Sequence, residues 1–151
     1  MPVLRTRRLL DESKVNYEII NHSPAYTARA CARAAHVPTD TLAKSVVVEI
    51  DGRWAMVLEP ASTRLSLGRL KKVTGASRVS LASEKECREL FPDCESGAIP
   101  PFGHLYGLAV YMSESLTHGQ QLAFNAGSHS ELIRLACRDF AALEHPTVLP
   151  V

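Results

Sequence analysis

Cysteine is sparse and scattered in this chain. Its four residues, Cys31, Cys87, Cys94 and Cys137, form no C-x-x-C pair and have no His-rich motif beside them, so their spacing argues against a zinc site. Reduced, partly buried thiols are expected instead. The histidines, His22, His36, His104, His118, His129 and His145, contain no pair at HxH or HxxxH spacing, so no metal site and no metal cofactor are expected. Long apolar runs are also missing. A stretch such as Val46-Val47-Val48 is far too short to cross a bilayer. The basic start, Met1 through Arg8, lacks the apolar segment of a secretory signal. The expectation is therefore a cytoplasmic protein without a membrane partner. No Gly-x-Gly-x-x-Gly or Walker sequence supports nucleotide binding. No Gly-x-Ser-x-Gly elbow and no readable Ser-His-Asp order supports a triad hydrolase. A net charge of +1 lacks the strong basic footprint of a protein that grips a long duplex.

What is present fits one domain. The 151 residues are 46% hydrophobic and 22% charged, enough to bury a core and too balanced for disorder. No repeat, linker or low-complexity stretch divides them. The charge is uneven, however. Residues 64–78 hold Arg64, Arg69, Lys71, Lys72 and Arg78 with no acid, while residues 79–96 hold Glu84, Glu86, Glu89, Asp93 and Glu95 against Lys85 and Arg88. The basic stretch suits either phosphates or a solvated helix face.

Local signals predict the elements. Thr6 is placed to cap a first helix reaching about Lys14, with Leu9 and Leu10 inward. Residues 17–20 read as a strand. Thr27 is placed to cap an alanine-rich helix over 28–36, stopped by Pro38. Residues 44–50 and 53–58 read as strands joined at Asp51-Gly52, a type I′ turn pair. Ser66 can cap a helix to about Thr74, with Gly75 just past its end. Residues 79–81 suit a strand, and Ser83 with Glu86 forms a capping-box pattern before a helix to about Phe91. Residues 92–104 read as loop, and 106–112 and 121–125 as strands. Residues 132–136 stay open between strand and helix, because Ser128-x-x-Glu131 is also a helix-start pattern. Interspersed helices and strands with a tight hairpin predict an α+β fold with a mixed, mostly antiparallel sheet.

Three features invite chemistry. In Ser96-Gly97-Ala98-Ile99-Pro100-Pro101-Phe102-Gly103-His104, glycines flank a rigid proline pair, which suits either a ligand-approaching loop or a plain connector. Phe124-Asn125-Ala126-Gly127-Ser128-His129 is a strand end passing into small polar residues, either a set of exposed backbone N–H groups or an ordinary turn. Lys44 opens an apolar strand, pointing either to solvent or into a pocket mouth.

Together these features resemble the YbaK-type deacylases and the editing domain inserted in bacterial prolyl-tRNA synthetases. The likeness runs through residues 17–22, Thr27, Lys44 with Ser45-Val46-Val47-Val48, Glu59-Pro60-Ala61, residues 65–75, Val79-Ser80-Leu81-Ala82, Gly97 through Gly103, and Phe124-Asn125-Ala126-Gly127. The resemblance implies a β-barrel-like α+β domain with surrounding helices. It implies a trans-acting hydrolase that cleaves the ester of a mischarged tRNA, with the acceptor end of an aminoacyl-tRNA, and prolyl-tRNA synthetase, as partners. The amino acid removed would be small, such as alanine, serine or threonine. Lys44, Gly97 and Pro101 take the catalytic positions of that family. His22, Thr27, Ala98, Ile99, Phe102, Gly103, Asn125, Gly127, Ser128 and His129 take substrate-binding ones, Ala98 and Ile99 lining a volume-selecting pocket over Phe102. An activated ester needs no strong nucleophile, only a held water, an oriented ester and donors for the oxyanion. Two other readings stand beside it: a non-catalytic module for aminoacyl-tRNA or a synthetase, and a small-molecule esterase or amidase. The sequence sets no oligomeric state.

Overall fold

The computed structural model describes residues 2–151. In chain order the elements are α1 (Leu4–Glu12), β1 (Tyr17–Asn21), α2 (Ala28–Ala34), β2 (Leu42–Ile50), β3 (Arg53–Pro60), α3 (Leu67–Thr74), β4 (Val79–Leu81), α4 (Glu84–Leu90), β5 (Ala109–Ser113), β6 (Gln121–Asn125), β7 (Glu131–Ala136), α5 (Cys137–Glu144) and β8 (Thr147–Leu149). Two single-turn 3-10 helices, Gly103–Tyr106 and Glu114–Thr117, flank β5. The result is a single α+β domain.

Where capping chemistry was local, the elements formed as expected. Thr27 accepts from the Ala30 N–H at the start of α2. Ser66 accepts from Arg69 at α3. Ser83 and Glu86 close a reciprocal capping box at α4. Asp51 and Gly52 both take positive φ in the β2–β3 turn. Thr6 does not cap α1. The helix starts earlier because the Val3 N–H bonds to the Ala126 carbonyl, and Thr6 is fully buried one turn in. Two further expectations are corrected. The strand expected from residue 106 begins at Ala109, because Gly103–Tyr106 coils into a 3-10 turn tied by the Leu108 N–H to the Gly103 carbonyl. The ambiguity over 132–136 resolves to strand, since Glu131–Ala136 pairs with β1 on one side and β6 on the other.

The eight-stranded sheet runs β1-β7-β6-β2-β3-β5-β8, with β4 also on β2. β2 pairs antiparallel with β3 along one edge. Its other edge takes β6, parallel, at Leu42–Ala43, and β4, antiparallel, at Val48–Ile50. The sheet is mixed, and it stays open rather than closing into a barrel, because β1 and β8 at its two ends do not pair.

Both faces of the central strands are covered. In β3, Met56 and Leu58 enter the main core with Phe102, Phe124 and Phe140, while Ala55 and Val57 enter a second cluster with Val48 and Leu70 of α3. In β6, Leu122 and Phe124 face the main core, and Ala123 faces a third cluster with Cys31 and Ala32 of α2. The period of two thus puts successive apolar residues into different clusters, so these strands read as continuous apolar runs. Each large side chain buried this way contributes roughly 1.5–3 kcal/mol. The cysteines are free thiols, Cys31 buried and the others half-buried.

Candidate functional site

The parallel β2–β6 register pairs Ala43 with Phe124. Lys44 therefore stands level with Asn125, where β6 ends and the two strands diverge. Lys44 is half-buried, and its Nζ donates to the Thr63 carbonyl. Directly across the β2–β3 ladder lies Glu59, 4% exposed. Its Oε1 accepts from the Thr63 hydroxyl at 3.0 Å, and its buried Oε2 has no partner among the described residues. Burial lowers the Lys44 ammonium below its ordinary pKa; Glu59 opposes the shift, and Arg29 and Arg64 add to it. These groups meet in a cleft of about 470 Å³ lined by Thr27, Arg29, Lys44, Thr63 and Arg64 among others. Arg29 holds one wall by donating to the Ser62 carbonyl at 3.1 Å. Three cations around one opening favour an anionic ligand.

The second half of the site gathers around Gly97. This residue is exposed and has φ +81°, whereas residues 98–103 are all buried. Its Cα faces His129: a Cβ built there would lie 3.5 Å from the imidazole Cε1. His129 Nε2 donates to the Ser96 carbonyl at 2.6 Å and lies 3.9 Å from Glu95. That bond assigns the proton to Nε2 and leaves the buried Nδ1 as an acceptor without a partner. In residues 97–101, Pro100 and Pro101 carry no N–H and Ala98 donates to the Glu95 carbonyl at 3.0 Å. The N–H groups of Gly97 and Ile99 bond to no carbonyl among the described residues. Of the two, only Gly97 is exposed.

Residues 22–27 link the halves. The His22 N–H bonds to the Ser130 carbonyl and the Ala25 N–H to the His129 carbonyl. His22 Nδ1 donates to the Ser23 carbonyl at 2.7 Å, leaving its Nε2 buried and unpartnered. Asn125 lies beneath, donating to the Cys31 sulfur at 3.6 Å. Gly127 is packed on Val3, and its carbonyl accepts from the Glu95 N–H. Ser128 donates to Glu131 at 3.4 Å.

Not every residue singled out in the sequence reaches this surface. Phe102 is fully buried between Phe124 and Phe140, with ring centroids 5.5 and 5.3 Å away. Ala98 is fully buried and Ile99 is 7% exposed within the main core. Gly103 packs so tightly that a Cβ would meet Val110 at 2.5 Å. Pro101 is buried beside them. None of these lines the Lys44 cleft. A larger cavity of about 960 Å³, between β6, α5 and β8, contains none of the expected site residues. Conversely, Glu95 and Tyr26 adjoin these residues without having been singled out as site candidates, and Glu59 stood out only as part of the Glu59-Pro60-Ala61 likeness. The two-residue Asp51-Gly52 turn sets Glu59 opposite Lys44, whereas Glu95 reaches His129 through the contact of the 95–97 and 127–130 loops and Tyr26 through the bond from the Ala25 N–H to the His129 carbonyl.

Residues 22–143 match the aminoacyl-tRNA editing domain family. The chain belongs to this family. Its curated relatives include the proline–tRNA ligase of Halalkalibacterium halodurans, 35% identical over 91 residues that cover 60% of this chain and 16% of the ligase. The proline–tRNA ligase of Bacillus cereus strain G9842 is 29% identical over 131 residues, covering 85% of this chain and 23% of the ligase. The editing domain thus spans less than a quarter of the length of these relatives. Among solved structures, a candidate trans-editing enzyme for prolyl tRNA synthetase superposes with TM-score 0.80 and 25% identity, covering 96% of this chain and 92% of that one. A protein described as hypothetical gives TM-score 0.84 at 19% identity, over 95% and 96% of the two chains, which speaks to the fold alone. No described helix of the editing domain is long and apolar enough to cross a membrane.

Proposed function

We propose that this editing domain is a trans-acting, cytoplasmic deacylase that hydrolyses the ester between a small amino acid and the terminal adenosine of a tRNA. Water adds to the ester carbonyl, the bond to the ribose oxygen breaks, and the amino acid leaves as a carboxylic acid. The observation that carries this reading is Lys44, an ammonium held half-buried at a cleft mouth by Thr63 and faced by Glu59. In that position it can neutralise the terminal phosphate or polarise the ester. The unbonded N–H of exposed Gly97 can serve as a donor for the oxyanion. The unpartnered His129 Nδ1 can accept from a ribose hydroxyl or the attacking water. Alanine, serine and threonine are the expected amino acids, and tRNA-Pro is the first tRNA to test, because the matched relatives are proline–tRNA ligases.

The test is incubation of the full chain with alanyl-, seryl-, threonyl- and prolyl-tRNA-Pro, following release of labelled amino acid. Hydrolysis of one or more mischarged forms, with prolyl-tRNA-Pro spared, is expected. Binding without release would make the protein a carrier module instead.

A further inference from the structure

Tyr26 is 74% exposed, the most exposed large apolar side chain among the described residues. One exposed aromatic is ordinary by itself. Its position is not. The ring lies 5.0 Å from the His129 ring, inclined at 52°, so it touches the Gly97–His129 half of the site while most of its surface stays open to solvent. The next residue, Thr27, lines the cleft with Arg29, Lys44 and Arg64. Tyr26 therefore stands at the junction of an imidazole wall and a three-cation cleft.

The backbone on either side is fixed. The Ala25 N–H is bonded to the His129 carbonyl at 3.0 Å, and Thr27 is locked as the N-cap of α2. A ring carried on a backbone held at both neighbours loses little entropy when something packs on it.

We infer that Tyr26 is a stacking platform for the base of an unpaired 3′-terminal nucleotide. An open aromatic face beside clustered cations is the chemistry of single-stranded nucleic-acid recognition: the base stacks and the backbone phosphate meets the cations. A base inside a duplex has both faces occupied, so only an unpaired end can use the platform. With the base on Tyr26 and the phosphate toward Arg29, Lys44 and Arg64, the terminal ribose is directed toward Gly97 and His129. This inference rests on the proposed deacylase reading and adds to it the group that grips the nucleotide.

The probe is an acceptor-arm RNA hairpin whose terminal adenine is replaced by 2-aminopurine, a base whose fluorescence is quenched on stacking. Wild type and Tyr26→Phe should quench it saturably. Tyr26→Ala should lose the quench and weaken binding about tenfold, in line with the usual value of one base–aromatic stack. On aminoacyl-tRNA the same variant should raise KM by a similar factor with kcat nearly unchanged, and its melting temperature should match wild type. Equal quenching and equal KM in Tyr26→Ala would overturn the platform, and an aromatic reserved for a protein partner would give that result. The two readings separate cleanly. Persistent deacylation with a Tyr26-independent quench removes the platform alone. A Tyr26-dependent quench without release from any aminoacyl-tRNA removes the deacylase alone.

Discussion

Lys44 and Glu59 face one another across the β2–β3 ladder, and Thr63 binds both. Its carbonyl accepts from the Lys44 ammonium and its hydroxyl donates to Glu59 at 3.0 Å. The ammonium is thereby pinned at the cleft mouth, with a buried carboxylate oxygen left unpartnered beside it. Two expectations follow from this arrangement.

Replacing Lys44 with Met should lower kcat/KM for deacylation by about 100-fold or more. Stability should move the other way. Burial holds the Lys44 pKa below its ordinary 10.5, so the charged form costs the folded state stability below the folded pKa. That cost fades as pH rises through the folded value and is gone above the unfolded one. The melting temperature of Lys44→Met should therefore equal or slightly exceed wild type at neutral pH, and any gain should vanish in strong alkali. Single-turnover kinetics and melts at several pH values check both parts.

Glu59→Gln removes the charge that raises the Lys44 pKa. Lys44 should then lose its proton at lower pH, and the alkaline limb of the kcat/KM profile should shift toward acid. A pH–rate profile of the variant is the measurement, and an unmoved limb would detach Glu59 from Lys44.

Two glycines should behave differently. A Cβ at Gly103 would meet Val110 at 2.5 Å and the Leu108 carbonyl at 3.3 Å, so Gly103→Ala should cost about 1–3 kcal/mol through overpacking. At Gly97 a Cβ meets only the His129 ring edge, at an ordinary 3.5 Å, and the cost is the positive φ, about 1 kcal/mol. Gly97→Ala should mainly reduce activity. Melts and kinetics of both variants separate the packing glycine from the site glycine.

The 97–103 loop is anchored at its far end by Glu144, whose carboxylate is buried and accepts from the backbone N–H and the imidazole Nδ1 of His104. Burial raises the Glu144 pKa, with His104 partly opposing. The protonated acid is thus favoured in the fold, and that contribution to stability is lost as pH rises through the raised value. Glu144→Gln, which cannot ionise, should gain stability relative to wild type as pH rises from the acid side through the raised value. Glu144→Ala should lose about 3 kcal/mol, because its hydrogen-bond donors are left without a partner. Denaturant melts across that pH range test the sign.

Ile99 sits in the main core at 7% exposure. Ile99→Ala should destabilise by about 2–4 kcal/mol. If the loop also sets amino-acid size, the variant should hydrolyse leucyl-tRNA faster relative to alanyl-tRNA. Equal ratios in wild type and variant would place selection elsewhere.

What the sequence determined was set within a few residues. The Thr27 and Ser66 caps, the Ser83–Glu86 capping box and the Asp51-Gly52 turn each rest on contacts no more than three residues apart, so a single chain displays them. Lys44, Gly97 and His129 stood out through their motif, with no measure of their distance from one another. Thr6 misled because a long-range bond from Val3 to Ala126 moved the helix start. The strand β8 was missed because its three residues acquire strand identity only by pairing with β5. The Asp51-Gly52 turn also sets the register that puts Glu59 opposite Lys44, whereas tertiary structure alone placed Tyr26 against His129, and Phe102 and Ile99 in the core. Those positions depend on loops closed over 30 or more residues of separation, and no local pattern encodes such pairings. Folding selects them through burial on both faces of the sheet.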